Sequence, residues 1–189
     1  MKKIDTLNWR VFKIDDLFIK LELKCRRPDF NKTLDVSAER TKEFSLPLAN
    51  AKHFNNGIMY YGRLSDFESA EMTLDIVKNG AIATGDVYAQ PQKTGVLWDA
   101  YLIKPRTPIR SKYVLLFLSA CLEKAIKDKF GYDDKCIWTK VCQLTLLLPA
   151  TKVRENEYQP DYAYMHEYMM KIEGRVKSAV DLLTIANKV

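Results

Sequence analysis

The sequence predicts an α/β (α+β) protein: a β-rich domain with packed helices over residues 1–158, then a long C-terminal spacer helix of coiled-coil type over 159–189. Three observations carry this. Short apolar runs between residues 44 and 104 are punctuated by Asn56-Gly57 and Asn79-Gly80, pairs that readily supply the positive φ of a turn. From Tyr113 apolar residues recur every three or four positions, with no glycine or proline until Gly131, as a helix buried on one side requires. Met165, Met169, Ile172, Val176, Ala179, Leu183 and Ala186 are spaced 4, 3, 4, 3, 4 and 3, a heptad seam along one face of a helix.

In chain order, Trp9 to Phe18 (WRVFKIDDLF) mixes aromatic and β-branched residues with charges and reads as a short strand leading into a turn. Residues 24–43 are polar and aperiodic, a long surface loop. Phe44–Ala49 and Ile58–Tyr61 are strands joined through Asn56-Gly57; Ile76–Val77 and Ala81–Thr84 flank Asn79-Gly80; Gly95–Lys104 is a further strand. These pieces suggest a twisted, mostly antiparallel sheet or partial barrel. Tyr113, Leu116, Phe117, Ala120, Cys121 and Lys124 mark the first long helix. After the polar loop Gly131–Lys135 comes a last strand, Gln143–Leu148, stopped by Pro149, then a polar linker, KVRENEYQ. Pro160 and Asp161 open the final helix, where a missing N–H is harmless and a carboxylate favours the dipole. At ~1.5 Å per residue that helix is about 40 Å long. Two readings of its seam stay open: it packs back on its own domain, or it is an arm for dimerisation or partner docking.

A chain of 189 residues holds one domain plus an appendage, and 47% hydrophobic with 29% charged residues marks it as folded rather than disordered. The longest apolar run, Tyr113–Leu118, is far too short for a membrane span, and Met1-Lys2-Lys3-Ile4-Asp5 leads into no secretory h-region. A cytoplasmic protein with no membrane partner is expected. Cys25, Cys121, Cys136 and Cys142 contain no C-x-x-C pair and read as reduced, buried thiols. The net charge of +6 lies in the body: residues 76–140 carry eleven basic groups against six acidic, whereas 161–189 carry four of each. A basic body suits a polyanion.

Catalytic signatures are missing from the text of the chain. It contains no G-x-G-x-x-G, P-loop or G-x-S-x-G. His53 and His166 lie in different parts of the chain, each without a sequence neighbour at metal-ligand spacing. Asp15-Asp16 and Asp133-Asp134 are adjacent pairs whose members point apart on a strand, and Glu22-Leu23-Lys24 lacks the Pro-Asp that precedes it in metal-dependent nucleases. No catalytic residue, metal or cofactor is therefore assigned. Asn, Gln, Arg and Tyr on loops can read base edges while Lys and Arg position phosphates. The candidates are Asn55, Asn56, Arg63, Tyr88, Gln90, Gln92, Lys93, Lys129, Tyr132 and Lys135.

The motifs have a recognisable order: an aromatic residue with F-x-I-x-D-L-F at Trp9–Phe18; Leu46-Pro47-Leu48 with Asn55-Asn56-Gly57-Ile58; Gly80–Gln90 (GAIATGDVYAQ); the helix Tyr113–Lys127; the Leu144–Pro149 strand; and Gln159–Met169 (QPDYAYMHEYM). Together they resemble the target-recognition domains of restriction-modification specificity (S) subunits, the type I family and its half-subunit relatives. The resemblance covers Trp9 to Leu183. It implies a domain that binds one half of a split double-stranded DNA target, and a helix, with Met165, Met169, Ile172, Val176, Ala179 and Leu183 as interface, that acts as a ruler. It implies a homodimer or pairing with another specificity subunit, and partner methyltransferase and restriction subunits that carry the chemistry. An orphan specificity fragment serving as a protein-interaction or regulatory module is the alternative.

Overall fold

A computed structural model describes residues 5–131 and 133–186. The elements are β1 (Trp9–Lys13), the single turn α1 (Ile14–Leu17), β2 (Phe18–Lys20), α2 (Lys32–Asp35), β3 (Val36–Ser37), β4 (Leu46–Ala49), β5 (Ile58–Gly62), β6 (Thr73–Val77), β7 (Val87–Gln90), β8 (Gly95–Val96), β9 (Ala100–Pro105), α3 (Lys112–Ile126), α4 (Trp138–Val141), β10 (Thr145–Arg154), β11 (Glu157–Pro160) and α5 (Tyr162–Ala186). They form three sheets of order β1-β10-β11, β2-β9-β6-β7 and β3-β5-β4-β8. Every pairing is antiparallel except β4 with β8. The mixed class and the long C-terminal helix agree with the sequence.

The opening segment is two strands, not one. β1 pairs with β10 and β2 with β9; the turn α1 carries the chain from one sheet to the other and sets Ile14 and Phe18, four residues apart, fully into the core. α3 covers the β2-β9-β6-β7 sheet. Its buried residues are Val114, Leu115, Phe117, Leu118, Leu122 and Ile126, packed on Leu74, Ile76, Val87, Ala89 and Ile103; at about 1.5–3 kcal/mol per buried side chain this is the main apolar contribution to folding. The stripe inferred from sequence is offset from that face, because α3 also meets α5: Phe117 packs on Tyr164 and Tyr168, while Leu116 is exposed.

Several boundaries move. Residues 24–43 are anchored rather than looping free: Asn31 caps α2 through Thr33 N–H at 2.9 Å, and Arg27 and Arg63 both reach the buried Asp35. The N–H of Asn31, 2.7 Å from Asp35 Oδ2, is the first cause that holds the Asp35 carboxyl below the usual range. Asn79-Gly80 is not the turning point between strands. Residues 81–84 are turn, and the positive φ falls at Gly85 (80°). Gly95–Lys104 breaks into β8 and β9, in different sheets, because Asn50 Oδ1 takes the Asp99 N–H at 2.9 Å and turns the chain.

Pro149 does not end the last strand. β10 runs through it, and the supposed linker is the β10–β11 hairpin, turning at Asn156 with φ 62°. The neighbouring Ala150 N–H points to the β1 side, where it donates to the carbonyl of Asn8, the residue just before β1, at 3.1 Å. Position 149 therefore faces away from β1, and proline's missing donor removes no bond to that strand. Its carbonyl accepts from Asp161 N–H at 2.8 Å, and Asp161 in turn caps α5 through Tyr164 N–H at 2.9 Å.

The four cysteines are unbridged. Cys136 and Cys142 are buried and Cys121 half-buried, but Cys25 is exposed, contrary to expectation. Burial pushes the Cys121 thiol up to about 11 and that of Cys136 to about 12. Among the described residues no helix is long and apolar enough to cross a membrane.

β6 buries a carboxyl on the face opposite Leu74 and Ile76. Asp75 is fully buried, and neither of its oxygens has a hydrogen-bond partner among the described residues. Burial first, and the nearby Asp86 carboxylate second, push its ionisation well above the ordinary range. The unfolded carboxyl titrates near ~4 and the folded one higher, so the folded state holds the extra proton in between. The stability this confers is full below the unfolded value and declines by about 1.4 kcal/mol per pH unit until the folded group ionises. Asp75→Asn is expected to flatten that decline, giving a variant more stable than wild type at pH 8 and little different at pH 4.5. Urea titrations at the two pH values check it; equal pH slopes would sink it.

Candidate nucleic-acid interface

The turn between β4 and β5 is built left-handed. Phe54, Asn55, Asn56 and Gly57 have φ of 66°, 49°, 52° and 72° in succession, and asparagine and glycine enter that region most readily. Asn56 is locked to β7: its Nδ2 donates to Ala89 O (3.1 Å) and Gln90 Oε1 (3.2 Å), while Gln90 Nε2 donates back to Asn56 O (2.7 Å). Gln90 Oε1 also accepts from Thr94 Oγ1 and Gln92 Nε2, each at 3.4 Å. A fully buried amide thus ties the β4–β5 turn to the β7–β8 loop.

Those two loops bound a groove of about 490 Å³ lined by Arg40, Ser45, Pro47, Asn55, Asn56, Tyr61, Leu64, Gln92 and Lys93, with Leu46 and Ile58 among its apolar members. Arg40 and Lys93 are exposed and form no ion pair among the described residues. Asn55 Nδ2 donates to Ile58 O at 2.8 Å and Asn56 Nδ2 is committed to β7, so these two side chains turn their Oδ1 acceptors to the groove, while Gln92, Lys93, Tyr61 and Arg40 supply donors for base edges and for phosphate at the rim.

Of the residues singled out from sequence, Asn55, Asn56, Gln92 and Lys93 meet here. Three others serve underneath or apart. Arg63 is consumed by Glu43 at 2.7 Å, Asp35 at 3.2 Å and Asp66 at 3.3 Å, and lies over the Phe44 ring. Gln90 is the buried tie just described. The Tyr88 hydroxyl accepts Phe54 N–H at 2.9 Å and donates to Asp86 at 3.0 Å, and burial pushes its ionisation up, so it stays a donor. Lys129 and Lys135 are exposed but do not line the groove; Tyr132 lies outside the described residues. Sequence reasoning passed over Arg40 and Tyr61, the first in a segment read as loop, the second inside an apolar run.

The histidines both hydrogen-bond. His53 Nδ1 lies 2.7 Å from Asp86 and His166 Nδ1 2.7 Å from Ser111 Oγ. Along α5, Met165 is fully buried and Met169 and Ile172 half-buried against the body. Lys112 and Tyr113 tether Glu173. From Gly174 to Thr184 every side chain is exposed, including Val176, Ala179 and Leu183 of the seam. An apolar groove of about 820 Å³, lined by Trp9, Val11, Phe117, Cys121, Leu147, Tyr168, Met169 and Ile172 among others, adjoins the root of this free segment.

No family model matches the chain. In sequence it is similar to the type II restriction enzyme specificity subunit S.BcgI of Heyndrickxia coagulans, 26% identical over 177 residues that make up 93% of this chain and 47% of that one. In fold it is similar to the type I restriction-modification S subunit from M. genitalium, with a TM-score of 0.58 at 17% identity over 100% of this chain and 45% of that one. The HsdS subunit from Thermoanaerobacter tengcongensis gives 0.51 at 12% identity, covering 94% of this chain and 40% of that one. The chain therefore spans about half the length of the proteins it matches. Along nearly its whole length it resembles one half of a restriction-modification specificity subunit, in sequence S.BcgI and in fold the type I S subunits.

Proposed function

We propose that this chain is a non-catalytic DNA sequence-recognition subunit of a restriction-modification system. Its body, residues 1–158, reads one half of a split double-stranded target. Its helix, 159–189, pairs with a second copy or with another specificity subunit, and methyltransferase and restriction subunits in the cytoplasm supply the chemistry. The observation that carries this reading is the groove in which Asn55, Asn56 and Gln92 sit with Arg40 and Lys93, exposed cations that form no ion pair among the described residues. Amides discriminate base edges and cations hold the backbone; the likeness to specificity subunits points the same way.

Selection from a random-sequence duplex library by the complex with its methyltransferase subunit should enrich one split motif. Binding should weaken steeply with salt, the log–log slope growing by about 0.9 per phosphate neutralised. Arg40→Ala and Lys93→Ala should each reduce that slope by about one. A library that yields no motif would overturn the reading.

A further inference from the structure

We propose that Phe54 is a wedge that enters a base step of the bound duplex, with His53 as its backstop; this rests on the DNA-recognition reading. Phe54 has φ 66° and ψ −168°, a conformation that only glycine takes without strain. The residue is 72% exposed, so burial within the fold does not compensate. The surrounding structure nevertheless fixes it. The Tyr88 hydroxyl accepts its N–H at 2.9 Å, and its carbonyl accepts from Gly57 N–H at 3.0 Å. The His53 ring lies against it, centroids 3.9 Å apart. His53 is itself positioned: a carboxylate only accepts, so Nδ1 carries the proton donated to Asp86 at 2.7 Å. Asp86, buried, also takes the Tyr88 hydroxyl and the Lys127 ammonium.

A buried carboxylate with three donors thus serves to present an aromatic ring to solvent on a strained backbone. Strain held in this way marks a working part rather than a folding accident. Phe54 immediately precedes Asn55 and Asn56 in the chain, so its backbone adjoins the groove those two line, while its ring stands outside the lining against His53. A π-face beside base-reading amides matches another π-face, and in a duplex those faces are available only where a step is opened. Apolar side chains inserted in this way unstack and kink DNA. The groove amides then read the pairs flanking the opened step.

The test uses the complex with its methyltransferase subunit and duplexes carrying the enriched motif, with 2-aminopurine placed at each step in turn. Wild type should raise fluorescence at one step. Phe54→Gly, which relieves the strain, should melt at the same or a higher temperature, keep its motif preference, bind roughly 10- to 100-fold more weakly and give no fluorescence rise. Phe54→Tyr should restore both binding and signal. Unchanged binding and unstacking in Phe54→Gly overturn the wedge while leaving DNA recognition intact, as does a variant that loses only its association with protein subunits. If wild type enriches no motif, DNA recognition itself fails and the wedge with it.

Discussion

Gly57→Ala is expected to lower folding stability by roughly 3–5 kcal/mol, from left-handed strain and overpacking acting together. The residue sits at φ +72°, and a Cβ there would lie 2.3 Å from Asp75 Oδ2 and 2.7 Å from Tyr88 Cδ2. Neither neighbour is a loose surface end. Asp75 is fully buried on β6, and the Tyr88 phenol is fixed by Phe54 and Asp86. The turn must therefore shift, carrying Asn55 and Asn56 out of register with Gln90, so DNA affinity should fall with stability. Gly174→Ala supplies the contrast: in α5 a Cβ would meet no heavy atom within 4 Å, and replacing a mid-helix glycine should stabilise by up to about 1 kcal/mol. Urea titrations of the two variants check the pair. A Gly57→Ala shift under about 1 kcal/mol would mean that the Asp75–Tyr88 wall is not as close as described.

What the sequence reveals of this site, and what it hides, follows from the range of the interactions. Both long helices were legible, since i, i+3 and i, i+4 spacing is written locally, and so was the Asn56-Gly57 turn, where residue type and backbone geometry coincide. The sheet partners of β1 and β2 are not: nothing in WRVFKIDDLF states that its halves pair with strands about 136 and 85 residues later, respectively. Pro149 misled because a proline is compatible with a strand when its nitrogen faces away from the paired neighbour, a fact of register that composition does not carry. Amide-rich loops point to four of the groove's eleven lining residues, Asn55, Asn56, Gln92 and Lys93. Residue type alone makes Arg63 and Gln90 look like reading residues; the fold sets three carboxylates on the first and buries the second. Arg40 was hidden for the complementary reason, being one cation among many until the fold set it beside Asn55.

The proposed pairing of helices predicts that Val176→Asp combined with Leu183→Asp abolishes association and leaves the body folded. Both residues belong to the heptad seam and are exposed, at 57% and 65%. Ile172 is a poorer probe, because it half-buries against Tyr168 and Met169 beside the apolar groove of its own body, so a charge there would confuse docking with folding. In a two-fold pair the double variant removes four apolar side chains from the interface, at about 1.5–3 kcal/mol each, and introduces four carboxylates at the same seam. A loss of roughly 6 kcal/mol or more, about four orders of magnitude in dissociation constant, should follow. Sedimentation equilibrium reads the association, and thermal melting should stay at the wild-type midpoint, since no described side chain beyond Glu173 is covered by the body. Undiminished association would remove the seam from the interface and leave the groove between Trp9, Val11, Leu147 and Ile172 as the surface to mutate next. A full loss would mean that one seam performs two tasks along its length: Met165 to Ile172 fix the helix to its own body, and Val176 to Leu183 pair with a second helix.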